Sequence, residues 1–272
     1  MAIPDIELSN QTKIPQLGFG TWLIKDEAEC KKAVKTAVGV GYRHFDTAQI
    51  YENEQFVGQA LKDSGVPRNE LFITTKIWTE NMHWDDLEPS FKESLKKLQT
   101  DYVDLLLLHF PVTELRRPAW RRMQDIYKSG RAKAVGVSNY TTKHLEELLN
   151  ECSVKPAVNQ VELHVFLQQP ELIKYCQDNG IVVEAYSPLA HNYKMDNKVI
   201  ETIAKKHGKS YAQIMIRWCI EKGLVPLPKS AHPKRIKENF EVFDFSLDSS
   251  DLGRLKGLDK AMRTCWDPTH VA

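Results

Sequence analysis

Four residues of this 272-residue chain carry the chemistry it can do: Asp46, Tyr51, Lys76 and His109. Together they make a proton donor, a cation to tune it, an anion to hold the cation, and an imidazole. Reducing a carbonyl needs a hydride on carbon and a proton on oxygen. A free tyrosine has a pKa of about 10, so it keeps its proton at neutral pH and releases it reluctantly. A lysine ammonium alongside stabilises the phenolate and lowers that pKa toward working pH. A carboxylate such as Asp46 holds the ammonium charged and oriented. His109 then donates the hydrogen bond that aims the carbonyl.

Each of the four sits at or just past the end of a strand-like run. Asp46 closes His44-Phe45-Asp46, and Tyr51 follows in the next loop. Lys76 ends Leu71-Phe72-Ile73-Thr74-Thr75-Lys76, and His109 follows Leu105-Leu106-Leu107-Leu108. Taken singly, each has a plainer reading: a packed tyrosine, a lysine reaching solvent, an Asp-Thr helix cap, a core histidine. Position joins them. If the strands are neighbours in one parallel barrel, the four side chains converge on its C-terminal face, where barrel enzymes keep their active sites.

The elements that must position them alternate along the whole chain. Strand-like runs occupy residues 17–21, 44–46, 72–75, 103–108, 134–138, 157–161, 181–185 and 224–227. Helix-period stretches lie between them, for example 26–38, 85–98, 141–149 and 170–178, with Gly130, Gly180, Pro170 and Pro233 as stop and start signals. Continuous apolar runs of this kind are buried on both faces, as in a parallel sheet. Eight of them in about 250 residues match a closed (β/α)₈, or TIM, barrel; a doubly wound sheet is the competing architecture. Ile6-Glu7-Leu8 and Lys13-Ile14-Pro15 read as a small hairpin plugging the barrel bottom. Segments 197–206 and 211–221 both fall between the seventh and eighth strands, one helix more than the repeat needs. Residues 248–255 form another extra helix, ahead of a tail rich in turn formers. No linker or composition shift divides the chain, so residues 1–272 are expected to form one domain. That length is ample for a core burying roughly 75% of the unfolded surface.

Composition narrows the classes. Thirty-seven basic against 36 acidic residues give a net charge of +1, which argues against a nucleic-acid surface or a polybasic membrane patch. Five scattered cysteines without a Cys-x-x-Cys pair point to reduced thiols rather than a disulfide scaffold or a metal site. The N-terminus shows no signal peptide, and the apolar run around Leu105 is far too short to span a bilayer. Asn10-Gln11-Thr12 and Asn139-Tyr140-Thr141 match the glycosylation sequon, but without a secretory signal they are accidents. A cytoplasmic protein is expected. No heptad or long apolar edge calls for a dimer, so a monomer is expected too.

The motifs carry a resemblance over nearly the whole chain. Gly18-Phe19-Gly20-Thr21-Trp22, Gly41-Tyr42-Arg43-His44-Phe45-Asp46-Thr47-Ala48, Tyr51-x-Asn53-Glu54 and Thr75-Lys76-Ile77-Trp78 resemble the aldo-keto reductases. So do Asp101-Tyr102-Val103-Asp104-Leu105, Gly136-Val137-Ser138-Asn139-Tyr140 and Pro228-Lys229-Ser230, in the right order. The short C-terminal tail resembles the microbial branch with glyoxal and diketo-gluconate reductases. The resemblance implies that Asp46, Tyr51, Lys76 and His109 are catalytic, that the cofactor is NADPH/NADP⁺ and that the substrate is a small carbonyl compound.

The dinucleotide fingerprint Gly-x-Gly-x-x-Gly is absent, as the resemblance leads one to expect. By the same resemblance Thr21 and Trp22 lie beside the cofactor. Ser138, Asn139 and Gln160 meet the nicotinamide carboxamide, Tyr186 stacks under its ring, and Ser187 and Leu189 follow the pyrophosphate. Lys229, Ser230 and Arg235 grip the ribose 2′-phosphate, with Glu238 and Asn239 near the adenine. A phosphate at a helix N-terminus flanked by Lys and Arg is physically well placed. Two hydrogen bonds to a charged group, each worth roughly 1.5–3 kcal/mol, favour NADPH over NADH by at least about ten- to hundredfold. His232 stands where many relatives carry a basic residue, which leaves the size of the preference open. Trp22, Trp78 and Phe110, with His109, are implied to line the substrate mouth. Phe110 replaces the Trp of many relatives, and the loops around it look short, implying an open site of broad specificity. The arginines of Arg116-Arg117 and of Met262-Arg263-Thr264-Cys265-Trp266 would attract an acidic substrate or simply face solvent. The alternative function is a cofactor-sensing or structural barrel of the same family, since fold does not fix function.

Overall fold

The computed structural model describes residues 3–192 and 196–272. A hairpin of β1 (Asp5–Glu7) and β2 (Lys13–Pro15) pairs antiparallel. Its Leu8 and Ile14 are buried against Leu105, Leu107, Val158 and Val225, inside the strands that follow. This is the expected plug.

The barrel strands are β3 (Gly18–Gly20), β4 (His44–Asp46), β5 (Phe72–Ile77) and β6 (Val103–Leu108). They continue as β7 (Ala132–Ser138), β8 (Val158–Glu162), β9 (Val182–Tyr186) and β10 (Val225–Leu227). Every sequential pair is parallel. The ends meet where Gly20 N–H donates to Pro228 O at 3.1 Å. That seam needs glycine: a Cβ on Gly18 would stand 2.4 Å from Leu227 Cδ2. The fold is the (β/α)₈ barrel, and the doubly wound alternative falls.

Outside the strands run α1 (Glu27–Val40), α2 (Glu54–Asp63), α3 (Trp84–Leu98), α4 (Arg116–Lys128) and α5 (Thr142–Glu151). Then come α6 (Pro170–Asp178), α7 (Lys198–His207), α8 (Tyr211–Glu221), α9 (Pro233–Phe240) and α10 (Ser249–Lys256). Pro170 and Pro233 stand at the first positions of α6 and α9, as expected, and side-chain caps start others. Asp26 accepts from Glu29 N at α1, and Thr141 with His144 and Ser210 with Gln213 build capping boxes at α5 and α8. The large apolar core lies between strands and helices, with Phe45, Phe91, Trp120 and Trp218 among its members.

The barrel interior divides along its axis. The lower half is the small apolar cluster on the hairpin. The upper half holds Asp46, Lys76 and Gln160, with Glu184 beneath them and His44 lower still against Phe72, all buried. Buried polar groups must be paired with one another, so the upper half is where chemistry has to be sought. Among the described residues no helix is long and apolar enough to cross a membrane.

Two glycine substitutions test the helix layer in opposite directions. Gly39 is exposed in α1 with nothing near its missing Cβ, so Gly39→Ala should stabilise by about 0.5–1 kcal/mol. A Cβ on Gly58 would lie 2.5 Å from Lys97 O and 2.6 Å from Leu98 Cα. Gly58→Ala should therefore force α2 off α3 and destabilise by about 1–3 kcal/mol. Urea unfolding midpoints would show both signs.

Candidate active site

Lys76 lies near the end of β5, pointing inward and fully buried. Its Nζ donates to Asp46 Oδ1 at 2.6 Å, Thr47 O at 2.9 Å and Tyr51 Oη at 3.2 Å. An ammonium has three N–H donors and no acceptor, so all three are taken. Burial pulls the Lys76 pKa down, but Asp46 and Tyr51 raise it more, and the group stays charged. Because Lys76 is the donor in the bond to Tyr51, the phenol oxygen accepts. Its own proton is left to point elsewhere.

The loop that carries Tyr51 is pinned by a neighbour the sequence reading quoted only as part of a motif. Asn53 is buried; its Oδ1 accepts from Thr47 Oγ1 at 2.7 Å, and its Nδ2 donates to Thr21 O and Ile24 O at 2.9 and 3.0 Å. Gln49 Oε1 accepts from Trp78 N at 2.8 Å, tying the same loop to the end of β5. His109 follows β6, and its ring stands edge-on to Tyr51 with centroids 5.8 Å apart. Burial first, and then the Lys76 charge, hold its imidazole well below the usual pKa, so it is neutral at physiological pH. All four candidate catalytic residues meet.

One expectation about them is corrected. Lys76 does pull the Tyr51 pKa down, but burial pushes it up harder, with Asp46 adding to the rise, and the net shift is upward. Part of the Tyr51 ring faces the cleft, yet protein packed around the hydroxyl outweighs one paired cation. Tyr51 is held protonated.

A second carboxyl lies beneath the first. Gln160 Nε2 donates both to Asp46 Oδ2 and to Glu184 Oε2, each at 2.8 Å. His44 Nε2 is 3.4 Å from Glu184 Oε1 and 3.2 Å from Thr74 Oγ1. Burial first, with the Asp46 charge behind it, pushes the Glu184 carboxyl up to about 8. Burial likewise pushes His44 down to about 3. Glu184 and His44 are therefore both neutral at pH 7, a pair the sequence reading missed because β4 and β9 lie far apart along the chain.

Above these groups a cleft of about 740 Å³ crosses the strand ends. Asp46, Tyr51, His109, Asn139, Gln160 and Tyr186 line one end, Trp22, Ser187 and Leu189 the middle, and Lys229, Ser230 and Arg235 the far end. Tyr186 Oη donates to Asn139 Oδ1 at 2.7 Å. Lys229 and Arg235 are exposed and make no ion pair among the described residues. Ser230 Oγ accepts from His232 N at 3.1 Å, just ahead of α9. Other expected cofactor residues stand behind the wall. Thr21 Oγ1 donates to Asp46 O and Ser138 Oγ to Gln160 O, both at 2.9 Å. Asn239 is buried in α9 and Glu238 half-buried beside it, while Glu29 of α1 reaches the cleft instead.

At the substrate end, Trp78 and Phe110 face a residue the sequence reading did not assign. Trp266 stands with ring centroids 5.5 Å from Trp78, 5.9 Å from His109 and 6.3 Å from Phe110. Trp22 instead meets His191 edge-on at 5.3 Å. The arginines are not turned to substrate. Buried Arg116 pairs with Glu147 and donates to Ala272 O at 2.6 Å, Arg117 pairs with Glu151 at 3.0 Å, and Arg263 with Asp267 at 3.1 Å.

A parallel barrel with a buried Asp–Lys–Tyr chain, a neutral histidine and a long cleft ending in free cations defines a nucleotide-dependent oxidoreductase site. Comparison with known proteins agrees. Residues 16–260 match the model of the Aldo/keto reductase family. Glyoxal reductase of Bacillus subtilis (strain 168) is 43% identical, over 98% of this chain and 96% of that one. Methylglyoxal reductase of Escherichia coli (strain K12) is 45% identical, over 97% and 96%. The crystal structure of Bombyx mori aldo-keto reductase in complex with NADP has a TM-score of 0.92 at 34% identity, covering 97% of this chain and 95% of that one. The chain belongs to the aldo/keto reductase family. It is an oxidoreductase of carbonyl and CH–OH groups, and NADPH is the cofactor of its family. The match stops short of Trp266.

The neutral Glu184 gives a pH prediction. The folded protein holds its proton up to about pH 8, whereas an unfolded glutamate loses it at about pH 4.3. Across that window the folded state binds the extra proton, so this group makes stability fall as pH rises. Glu184→Gln removes the contribution. Relative to wild type, the variant should gain stability between about pH 5 and about pH 8 in urea titrations; a difference independent of pH would show that Glu184 titrates normally.

Proposed function

We propose that this chain reduces aldehydes and ketones, 2-oxoaldehydes among them, to alcohols with NADPH. In this reading residues 1–272 work as one domain, a cytoplasmic monomer without nucleic-acid partners. The observation that carries it is the hydrogen bond from Lys76 Nζ to Tyr51 Oη. It leaves the phenol proton free to serve the cleft, next to a cation that stabilises the phenolate left behind. The names of the relatives, glyoxal and methylglyoxal reductase, support the substrate class.

The residues present fit the cofactor. Gln160 turns its NH₂ down onto two carboxyls, which leaves its carbonyl oxygen free to accept from a carboxamide. Exposed Lys229 and Arg235 sit at the far end of the cleft with Ser230 and the first turn of α9, a place for a 2′-phosphate. Bound NADPH supplies the hydride. Tyr51 gives its proton to the carbonyl oxygen, Lys76 steadies the resulting charge, and Asp46 holds Lys76 in place. His109, kept neutral by burial, donates the hydrogen bond that orients the carbonyl. Trp22, Trp78, Phe110 and Trp266 shape the apolar mouth.

The test is the loss of nicotinamide absorbance with methylglyoxal and with an aromatic aldehyde, using NADPH and NADH. Tyr51→Phe should lose about 10²–10⁴ in turnover, the usual worth of a general acid, with NADPH affinity kept. NADPH should be preferred by at least about tenfold, a preference that Arg235→Ala erodes. Tight NADPH binding without turnover of either aldehyde would replace this reading with that of a cofactor sensor.

A further inference from the structure

Between α10 and residue 268 the chain forms no helix or strand, yet it carries Trp266 to the substrate end of the cleft. A segment without its own backbone ladder must be held from outside. Lys260 N and Met262 N donate to Phe166 O, each at 3.1 Å. Beyond the tryptophan, Arg116 holds Ala272 O at 2.6 Å and His144 Nε2 lies 3.0 Å from Val271 O. Between these anchors stands Glu162, the last residue of β8, fully buried and absent from the cleft wall.

Its carboxylate is taken up almost wholly by the tail. Oε1 accepts from Thr264 N at 2.7 Å and from Thr264 Oγ1 at 2.6 Å, and Oε2 accepts from Cys265 N at 3.1 Å. His164 Nε2 completes the set, 3.1 Å from Oε1. Burial pushes this carboxyl up, but His164 and Thr264 pull it lower still, so the net shift is downward and the group is charged at neutral pH. Hydrogen bonds to an ionised acceptor are roughly twice as strong as neutral ones. Three of them therefore fix the two residues that immediately precede Trp266.

We propose that Glu162 is a positioning residue for substrate selection. By clamping Thr264 and Cys265 it sets where Trp266 stands against Trp78, His109 and Phe110. It thereby gives the site its affinity for carbonyl compounds whose apolar part extends past the reacting carbon. The inference rests on the reductase reading of the same site. An aryl aldehyde reaches this aromatic wall, whereas methylglyoxal offers it a single methyl group. Glu162→Gln keeps the volume but turns an NH₂ group on the N–H donors of Thr264 or Cys265, so the clamp loosens without emptying the core.

The experiment measures kcat/KM with NADPH for an aromatic aldehyde and for methylglyoxal in wild type, Glu162→Gln, Trp266→Ala and the double variant. The ratio of aromatic aldehyde to methylglyoxal should fall about three- to tenfold in each single variant, the worth of one aromatic contact. The double variant should be no lower than Trp266→Ala, because both changes remove the same contact. A purely structural role would lower both substrates alike and leave the ratio alone; that result, or losses that multiply in the double variant, overturns the proposal. If Glu162→Gln does not fold, Thr264→Val decides the matter: it deletes one donor to Oε1, and a lowered ratio supports the clamp while an unchanged one overturns it. A wild type that reduces neither aldehyde would remove the reductase reading and this inference with it, a result distinct from an active enzyme indifferent to Glu162.

Discussion

An ammonium shut inside a barrel is tolerated only when a counter-charge and further acceptors meet all of its N–H groups, since desolvation costs several kcal/mol per ion. Lys76 satisfies that demand with Asp46 Oδ1, Thr47 O and Tyr51 Oη, and the rest of the upper barrel follows from it. Asp46 must sit on the neighbouring strand. The loop after it must bring a backbone carbonyl and a hydroxyl back over β5, and Asn53 and Gln49 lock that loop to β3 and β5. The chemistry is then a by-product of satisfaction. The third acceptor is a phenol oxygen, and a phenol that accepts from an ammonium keeps its own proton for something else.

The barrel also sorts its acids by environment, the general way proteins give like groups different roles. Asp46 touches the lysine. Glu184, one glutamine away, touches none and is pushed to hold its proton. Gln160 is the joint between them, and its fixed amide is what leaves an acceptor facing the cleft. Glu162, two residues on along β8, is charged instead because backbone donors and a histidine surround it. Three carboxyls within one barrel top thus do three things: bind a cation, hold a proton, and anchor a chain end.

The division of the interior explains why these groups sit where they do. The hairpin closes the lower end with Leu8 and Ile14, while Asp46, Tyr51, His109 and Gln160 line the end where loops and tail supply partners. The aromatic wall at the substrate end is then drawn from the least regular parts of the chain, Trp78 after β5, Phe110 after β6 and Trp266 in the tail.

Much of this was legible in the residues alone. A polar side chain closing an apolar run is visible in a one-dimensional pattern, so the barrel class, the eight strands to within about two residues at most ends, and Asp46, Tyr51, Lys76 and His109 could all be read. Contacts along neighbouring strands follow from strand order. What the sequence could not show was anything set across the barrel or by distant segments. His44 beside Glu184 joins β4 to β9 through the interior. Trp266 meets Trp78 at the end of a tail whose Thr264 is bonded to Glu162, 102 residues earlier in the chain. The net direction of the Tyr51 pKa is a contest between burial and charge, and burial is a property of the packed chain rather than of residue types. Order along the chain fixed which groups could meet; only folding decided how deeply each was removed from water, and so which of them stayed charged.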